Sequence, residues 1–588
     1  MAGKDLLFRI LSAPSEKVRK MGESQMLQDR STMSEQTLQA PTSVNTKPVI
    51  WGLVVLFIVY VAALFAGIPQ KWTAASNSHH AEAAVEQAAP TDAAAAEQTA
   101  PAEHAEVKAP PLWAAIPFCV LLLCIAVLPL IPATEHFWES NLHRFLVAAG
   151  LGLIVLLYYA FMHASPVELH WPAHSVVDGS LPKAGTIFVN AIIGEYISFI
   201  VLLFSLFTIT GGIRISGDLK ATPLLNSIIL MIGAVLASFI GTTGAAMLLI
   251  RLLLDTNRER RYKVHTVIMF ILAVCNCGGC LLPIGDPPLF LGYLRGVNFL
   301  WTMHLWPMWL LVNAILIGFY FLWDSLWFYR KETPLDKAID DVAVQPLRIR
   351  GLCPNLFCLI GVVLAVMFLD PSKALGAADG AGGWYPPMFL REIVQLAMVF
   401  ISLAFGSKAV RAENDFNFSA IIEVAALFFG IFICMQAPLQ ILNEKGKEIA
   451  ESVHSVGGKL GLNEAQEFFW MSGSLSSVLD NAPTYVVFFE TARAADAAKA
   501  AEDPDVKAEL EAAEKVSGVP ISIALLMAIS LGSVMMGAMT YIGNGPNFMV
   551  KSIAEQSGIK MPSFFGYIGY TICILFPILL VMTLIFLR

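Results

Sequence analysis

The chain has 588 residues, 56% of them hydrophobic and 14% charged, with a mean hydropathy of +0.65 and a formal net charge of −8. Soluble chains average about 45–50% apolar and about 25% charged residues, so this composition excludes an ordinary soluble domain. The negative balance, with no basic-aromatic patch, excludes a nucleic-acid partner. The nine cysteines are scattered, mostly within apolar runs (Cys119, Cys124, Cys358, Cys434, Cys573), which is the usage of small buried hydrophobes and not of a disulfide framework.

Residues 1–47 form a polar tail with Lys4, Arg9, Lys17, Arg19, Lys20, Arg30 and Lys47, a positive excess expected to stay cytoplasmic. A first transmembrane helix is expected over 48–69. Its apolar run follows a long tail and exceeds a signal-peptide core, so no cleavable signal is expected. The Ala/Glu/Pro composition of 70–110 reads as a spacer, in which His79, His80 and His104 are solvated. Accessory transmembrane helices fill 111–185, with spans near 111–132 and 142–163.

Two blocks then read alike: a first repeat over 186–325 and a second over 386–588, separated by a loop and helix at 326–385. Each opens with a helix carrying an acid near its start, expected to be buried: Glu195 after Asn190-Ala-Ile-Ile-Gly, and Glu423 after Ser419-Ala-Ile-Ile. Next comes an element interrupted by polar residues. In the first block it is 221–254 with Gly241-Thr242-Thr243-Gly244, in the second 462–489 with Asp480-Asn481-Ala-Pro-Thr484. A helix broken by Gly and Pro follows, at Pro283-Ile-Gly-Asp286-Pro-Pro and at Tyr541-Ile-Gly-Asn544-Gly-Pro-Asn547.

Loop charge orients these elements. Arg214 and Lys220 precede the first interrupted element, and Arg258, Arg260, Arg261 and Lys263 follow it, so both its ends belong inside and it is a re-entrant hairpin. Arg330, Lys331, Lys337, Arg348 and Arg350 mark another inside loop. Glu423 follows Lys408 and Arg411, so the second block runs in the opposite sense and its hairpin enters from outside. The charged insertion 491–518 is then an external helical cap. The fold class is an all-α polytopic membrane protein with two inverted repeats, re-entrant hairpins and broken transmembrane helices.

Backbone freed by such breaks is tolerated at membrane depth only against protein or a wet cavity, and matched breaks in two halves point to a central site. Half-helix N-termini suit anions, whereas unwound carbonyls and hard side-chain oxygens suit Na⁺. Asp286, Asp480, Asn481 and Asn544 supply such oxygens, and Thr242, Thr243, Ser477 and Thr484 add hydroxyls. Asp480, Asp286, Glu195 and Glu423 are candidates for proton coupling, because intramembrane acids are costly and tend to be functional. For Asp480 and Asp286 the structural alternative is capping of a half-helix. Arg251 reads as a snorkelling interfacial cation, with anion binding as the alternative. Cys275-x-Cys277-x-x-Cys280 has no fourth ligand nearby and reads as packing beside Gly278 and Gly279. Trp301, Trp306 and Trp309 read as an interfacial belt.

The ordered set Gly241-Thr-Thr-Gly, Pro283-Ile-Gly-Asp-Pro-Pro, Leu479-Asp-Asn-Ala-Pro-Thr and Tyr541-Ile-Gly-Asn-Gly-Pro-Asn resembles the ion-transporter superfamily. Within it the chain is similar to the NhaD-type sodium/proton antiporters and to the putative citrate transporter group, the latter also through His136-Phe-Trp-Glu-Ser-Asn. The resemblance covers about 111–588. It implies paired hairpins, a possible homodimer, and Na⁺ ligation by Thr242, Thr243, Asp286, Asp480, Asn481, Asn544 and Asn547. Carboxylate-carrying members usually show a Ser-Asn-Thr tip; the tips here differ, and an acid among them opposes citrate unless a cation accompanies it. The expected function is Na⁺/H⁺ antiport at a mid-membrane site in the bacterial inner membrane, with Na⁺ as transported or coupling ion and no other cofactor. Cation-coupled citrate or carboxylate transport is the alternative. A membrane-embedded enzyme is the remote one, since no HExxH or GxSxG set is present.

Overall fold

The computed structural model describes residues 46–75, 108–169, 175–373, 375 and 383–588. The tail, most of the linker and its three histidines lie outside the described residues. In chain order the helices begin with α1 (Lys47–Phe65), α2 (Ile116–Val127), α3 (Asn141–Phe161) and α4 (Ser180–Thr210). Next are α5 (Pro223–Ile240), α6 (Thr242–Thr256), α7 (Val264–Ala273), α8 (Pro287–Leu294), α9 (Trp301–Lys331) and α10 (Pro334–Ala343). After α11 (Leu352–Phe368) and α12 (Leu390–Phe405), the second repeat contains α13 (Ser419–Gly457), α14 (Glu464–Val478), α15 (Asn481–Glu502) and α16 (Pro504–Ser517). The chain closes with α17 (Ile523–Met535), α18 (Gly545–Gln556) and α19 (Phe564–Phe586). Among the described residues the strands form two antiparallel ribbons, β1 (Val167–Leu169) with β2 (Ser175–Val177), and β3 (Arg214–Asp218) with β4 (Gln345–Arg350).

Seven of the described helices are long and apolar enough to cross a membrane, making this an all-α polytopic membrane protein. Length alone counts α5 among them, but contacts make it one arm of a hairpin. Asn226 near its start exchanges amide hydrogen bonds of 2.8 and 2.9 Å with Asn257 just past the end of α6, so the pair begins and ends together. In the second repeat Lys499 on α15 reaches Glu464 at the start of α14 at 2.5 Å, closing an equivalent hairpin.

The mouths of these hairpins lie on opposite faces. At the first, β3 pairs with β4, Lys220 meets Asp341 at 2.6 Å, and the Arg261 and Tyr262 amides donate to Glu332. Arg350 pairs with Glu413, so the loop before α13 joins the same basic face. At the second, the Asn298 amide donates to Ser517 at 2.6 Å and Lys373 reaches the Asn298 side chain at 3.0 Å. The helix α9 connects the two faces. Its 31 residues make it about 46 Å long at 1.5 Å per residue. Hairpins entering from the two ends of such a body meet near its middle, and the two repeats are inverted relative to each other.

The centre is apolar and closely packed: Val267 to Val274 are each at most 1% exposed. Lipid tails are as apolar as leucine, so this burial contributes packing more than dehydration.

Three expectations are corrected. The span at 111–132 ends at Val127, where Pro129 and Pro132 stop the helical hydrogen bonding and the chain turns through 106° into Pro132–Trp138. The second interrupted element, expected to end at 489, continues into the insertion 491–518, since α15 runs unbroken through its alanines to Glu502 and Asp503-Pro504 ends it. Arg251 neither snorkels nor stands ready for an anion. It donates to the Glu413 and Asn414 carbonyls at 3.0 and 2.9 Å and to Asp415 at 3.0 Å, pinning hairpin one to the loop before α13.

Candidate functional site

Each helix break is built around a chain reversal that only glycine permits. A Cβ on Gly285 would lie 2.3 Å from the Gly279 carbonyl oxygen, and one on Gly543 would lie 2.6 Å from that of Gly537. The residue after each glycine, Asp286 or Asn544, is in extended conformation (φ −143° and −154°) and starts a new helix with proline in its first turn. Serines lock each hairpin to its break in the same way: Ser238 Oγ donates to Gly278 O at 2.5 Å, and Ser477 Oγ donates to Met536 O at 3.1 Å. The Thr242 amide at the tip of hairpin one also donates to Gly285 O at 2.9 Å.

Both tips and both breaks close on one carboxylate. Asp286, 1% exposed, accepts from Thr242 Oγ1 at 2.8 Å and Asn544 Nδ2 at 3.1 Å on one oxygen, and from Asn481 Nδ2 at 2.5 Å on the other. The donors are an alcohol and two amides, with no cationic side chain among them. Asn481 Oδ1 is buried without a hydrogen-bond partner among the described residues, an acceptor held in reserve beside the carboxylate.

The remaining expected residues take distinct places. Asp480 accepts from the Ala482 amide at 3.3 Å and caps α15, and Thr484 Oγ1 returns to the Asp480 carbonyl at 3.0 Å. Asn547 donates to the Gly537 and Thr540 carbonyls, both at 2.9 Å, bracing the second break. Thr243 is half-buried in the wall of a cavity of about 90 Å³ that also touches Asp286. That cavity runs between the tip of hairpin one, Leu202 to Phe207 on α4, and Ala420 to Val424 at the start of α13, towards the basic face. Its volume has room for a few water molecules.

Glu195 and Glu423 are not brought to this centre, and neither is buried as expected. Their side chains are 23% and 41% exposed and pair with Arg295 and Arg144, each at 2.9 Å. Arginines on neighbouring helices satisfy these acids at the edge of the bundle. Cys275, Cys277 and Cys280 are fully buried, and a Cβ on Gly278 would fall 2.6 Å from Ala234 Cα, so this stretch packs backbone against backbone.

Asn276, between the first two cysteines, was not singled out from sequence. Fully buried, it donates to Asn547 Oδ1 at 2.7 Å and accepts from Asn544 at 3.2 Å, joining the break of repeat one to that of repeat two. The available signal was a polar amide inside a run otherwise apolar from Val267 to Cys280.

Opposed hairpins and paired broken helices closing on a single intramembrane carboxylate define a transporter of the inverted-repeat class. The chain belongs to the family described as "Putative citrate transport", whose model matches residues 107–587. No curated protein matches it.

Proposed function

We propose that the protein is a cation-coupled transporter of citrate or a related carboxylate, and that Asp286 is where the coupling Na⁺ or proton is bound and released. The observation that carries this reading is the convergence of three symmetric corners on the carboxylate of the fourth; family membership points to the carboxylate cargo. A charge at mid-membrane costs about 2.5–3.5 kcal/mol on insertion scales, so three neutral donors around Asp286 suit a group that alternates between partners. The amide of Asn481 can turn to offer Oδ1, and the Thr242 hydroxyl can rotate to offer a lone pair. The same shell then passes from hydrogen-bond donors to oxygen ligands for Na⁺. Asp480, at the head of α15, adds negative field beside it, while Asn544 and Asn547 hold the second break in register. The first turn of α6, at the cavity wall, offers the Thr243 and Gly244 N–H groups and a partial positive charge to an anion, the Thr242 amide being taken by Gly285 O. The basic face is cytoplasmic and the tail lies on that side, in a bacterial inner membrane.

A second reading, Na⁺/H⁺ antiport without a carboxylate, is favoured by one observation: among the described residues no Lys, Arg or His lines the cavity or donates to Asp286. Citrate there meets a like charge unless a cation stands between. Proteoliposomes separate the two. Labelled citrate uptake under a Na⁺ or pH gradient is expected on the first reading, and Na⁺-dependent proton flux without citrate on the second. Asp286→Asn silences whichever is present, and wild-type transport by that variant sinks both.

A further inference from the structure

We propose that α10 and the β3–β4 ribbon form a binding surface for anionic phospholipid in the leaflet at the basic face. The segment follows the long helix α9 after only Glu332 and Thr333, which places it where hydrocarbon gives way to headgroups. Thr333 and Asp336 form a capping box, with Thr333 Oγ1 accepting the Asp336 amide at 3.1 Å, so the helix starts at a fixed point.

The acids of α10 are spent on protein. Asp336 serves the cap, Asp340 accepts the Ala221 amide at 3.1 Å, and Asp341 pairs with Lys220 at 2.6 Å. The apolar side chains remain uncovered: Leu335, Ile339 and Val342, at helical spacing, are 68%, 49% and 87% exposed. Leu347 and Ile349 on β4, just after α10 in the chain, are each 48% exposed as well. An apolar stripe at the end of a spanning helix is what an interfacial helix presents to acyl chains.

Charge selects the occupant. Arg330, Lys331 and Arg348 are exposed around the stripe, and neither Arg330 nor Arg348 has an ion-pair partner among the described residues. A cavity of about 330 Å³ on the ribbon is lined by Arg348, Ser216 and Gly217 together with Arg350, whose guanidinium is held by Glu413, so the Arg348 guanidinium is the donor left there for a phosphodiester. A second copy or a soluble protein has no need of unpaired cations beside an apolar stripe. A negatively charged leaflet matches both features at once.

The test uses the full chain in nanodiscs of phosphatidylcholine, with and without phosphatidylglycerol. Hydrogen exchange over 334–350 and native mass spectrometry of retained phosphatidylglycerol are the readouts. Exchange over α10 is expected to slow when phosphatidylglycerol is added. Retention is expected to weaken by roughly fivefold per charge removed in Arg330→Gln, Lys331→Gln and Arg348→Gln. A second variant, Leu335→Ser with Ile339→Ser and Val342→Ser, is expected to lose the slowing with its thermal unfolding unchanged. Exchange that is equally slow in both lipids overturns the proposal. So does slowing that requires two chains per disc, slowing produced by inorganic phosphate alone, or retention indifferent to the charge variants.

Discussion

The two halves of the molecule share a backbone plan and differ in chemistry at the point where they meet. Asp286 and Asn544 occupy equivalent places, each following a glycine that abuts a carbonyl and each starting a proline-bearing helix. Thr242 and Asn481 likewise begin the second arms of their hairpins. Symmetry therefore supplies four polar corners, but only one of them is a carboxylate. The second acid near the centre, Asp480, turns to cap its own helix. The comparison teaches that the duplicated scaffold brings four matching corners together while the carboxylate among them is not duplicated.

The largest expected effect comes from moving that charge to its twin position. Asp286→Asn alone is expected to bring cation-driven transport to background while the protein still folds, since an amide fills the same volume. Adding Asn544→Asp returns a carboxylate to the same cluster of donors, and part of the flux is expected to return with it. If the double variant is as silent as the single one, the halves are equivalent in backbone only.

The glycines test the shared backbone itself. Gly285→Ala and Gly543→Ala each drive a methyl into a carbonyl, at 2.3 and 2.6 Å, and each is expected to lower stability by about 1–3 kcal/mol, as overpacking does. Gly545→Ala, with nothing within 4 Å of its Cβ, is the control and should be neutral. Thermal unfolding in detergent reads all three. A harmless change at only one of the paired glycines breaks the symmetry argument.

Asn276 sharpens the comparison because it has no polar twin. The 258-residue offset between Asp286 and Asn544 carries it to Val534. Asn276→Ala strips a partner from both Asn544 and Asn547, and a buried polar group left unpaired costs about 1–3 kcal/mol. Lower thermal stability is therefore expected, together with slower transport, and reduced flux at unchanged stability would contradict a bracing role.

Much of the site was legible because breaks leave strong local signals. Gly-Asp-Pro-Pro and Gly-Asn-Gly-Pro cannot continue a helix, and basic loops on both sides of 221–254 required a hairpin. What stayed hidden depends on distance in sequence. The Asn276 side chain meets one 271 positions away, and nothing local distinguishes it from a solitary amide in a packed run. Burial of Glu195 and Glu423 was misjudged for the same reason, since Arg295 and Arg144 come from elements that the local pattern does not connect to them. The interfacial character of α10 escaped notice because its acids obscure a three-residue apolar stripe.

Those two acids give the smallest and most discriminating comparison. Glu423 is 41% exposed and pairs with Arg144, so Glu423→Gln should cost no more than about 1 kcal/mol, the range of solvent-accessible ion pairs. Glu195, 23% exposed, pairs with the nearly buried Arg295, which also faces Glu490 at 3.4 Å, so Glu195→Gln should cost somewhat more. Neither contacts the Asp286 cluster, and both variants are expected to keep cation-driven transport. Measured in proteoliposomes beside Asp286→Asn, a silent Glu195→Gln or Glu423→Gln would place a second proton-carrying acid in the cycle. Activity in both leaves the coupling to the one carboxylate that the two halves share.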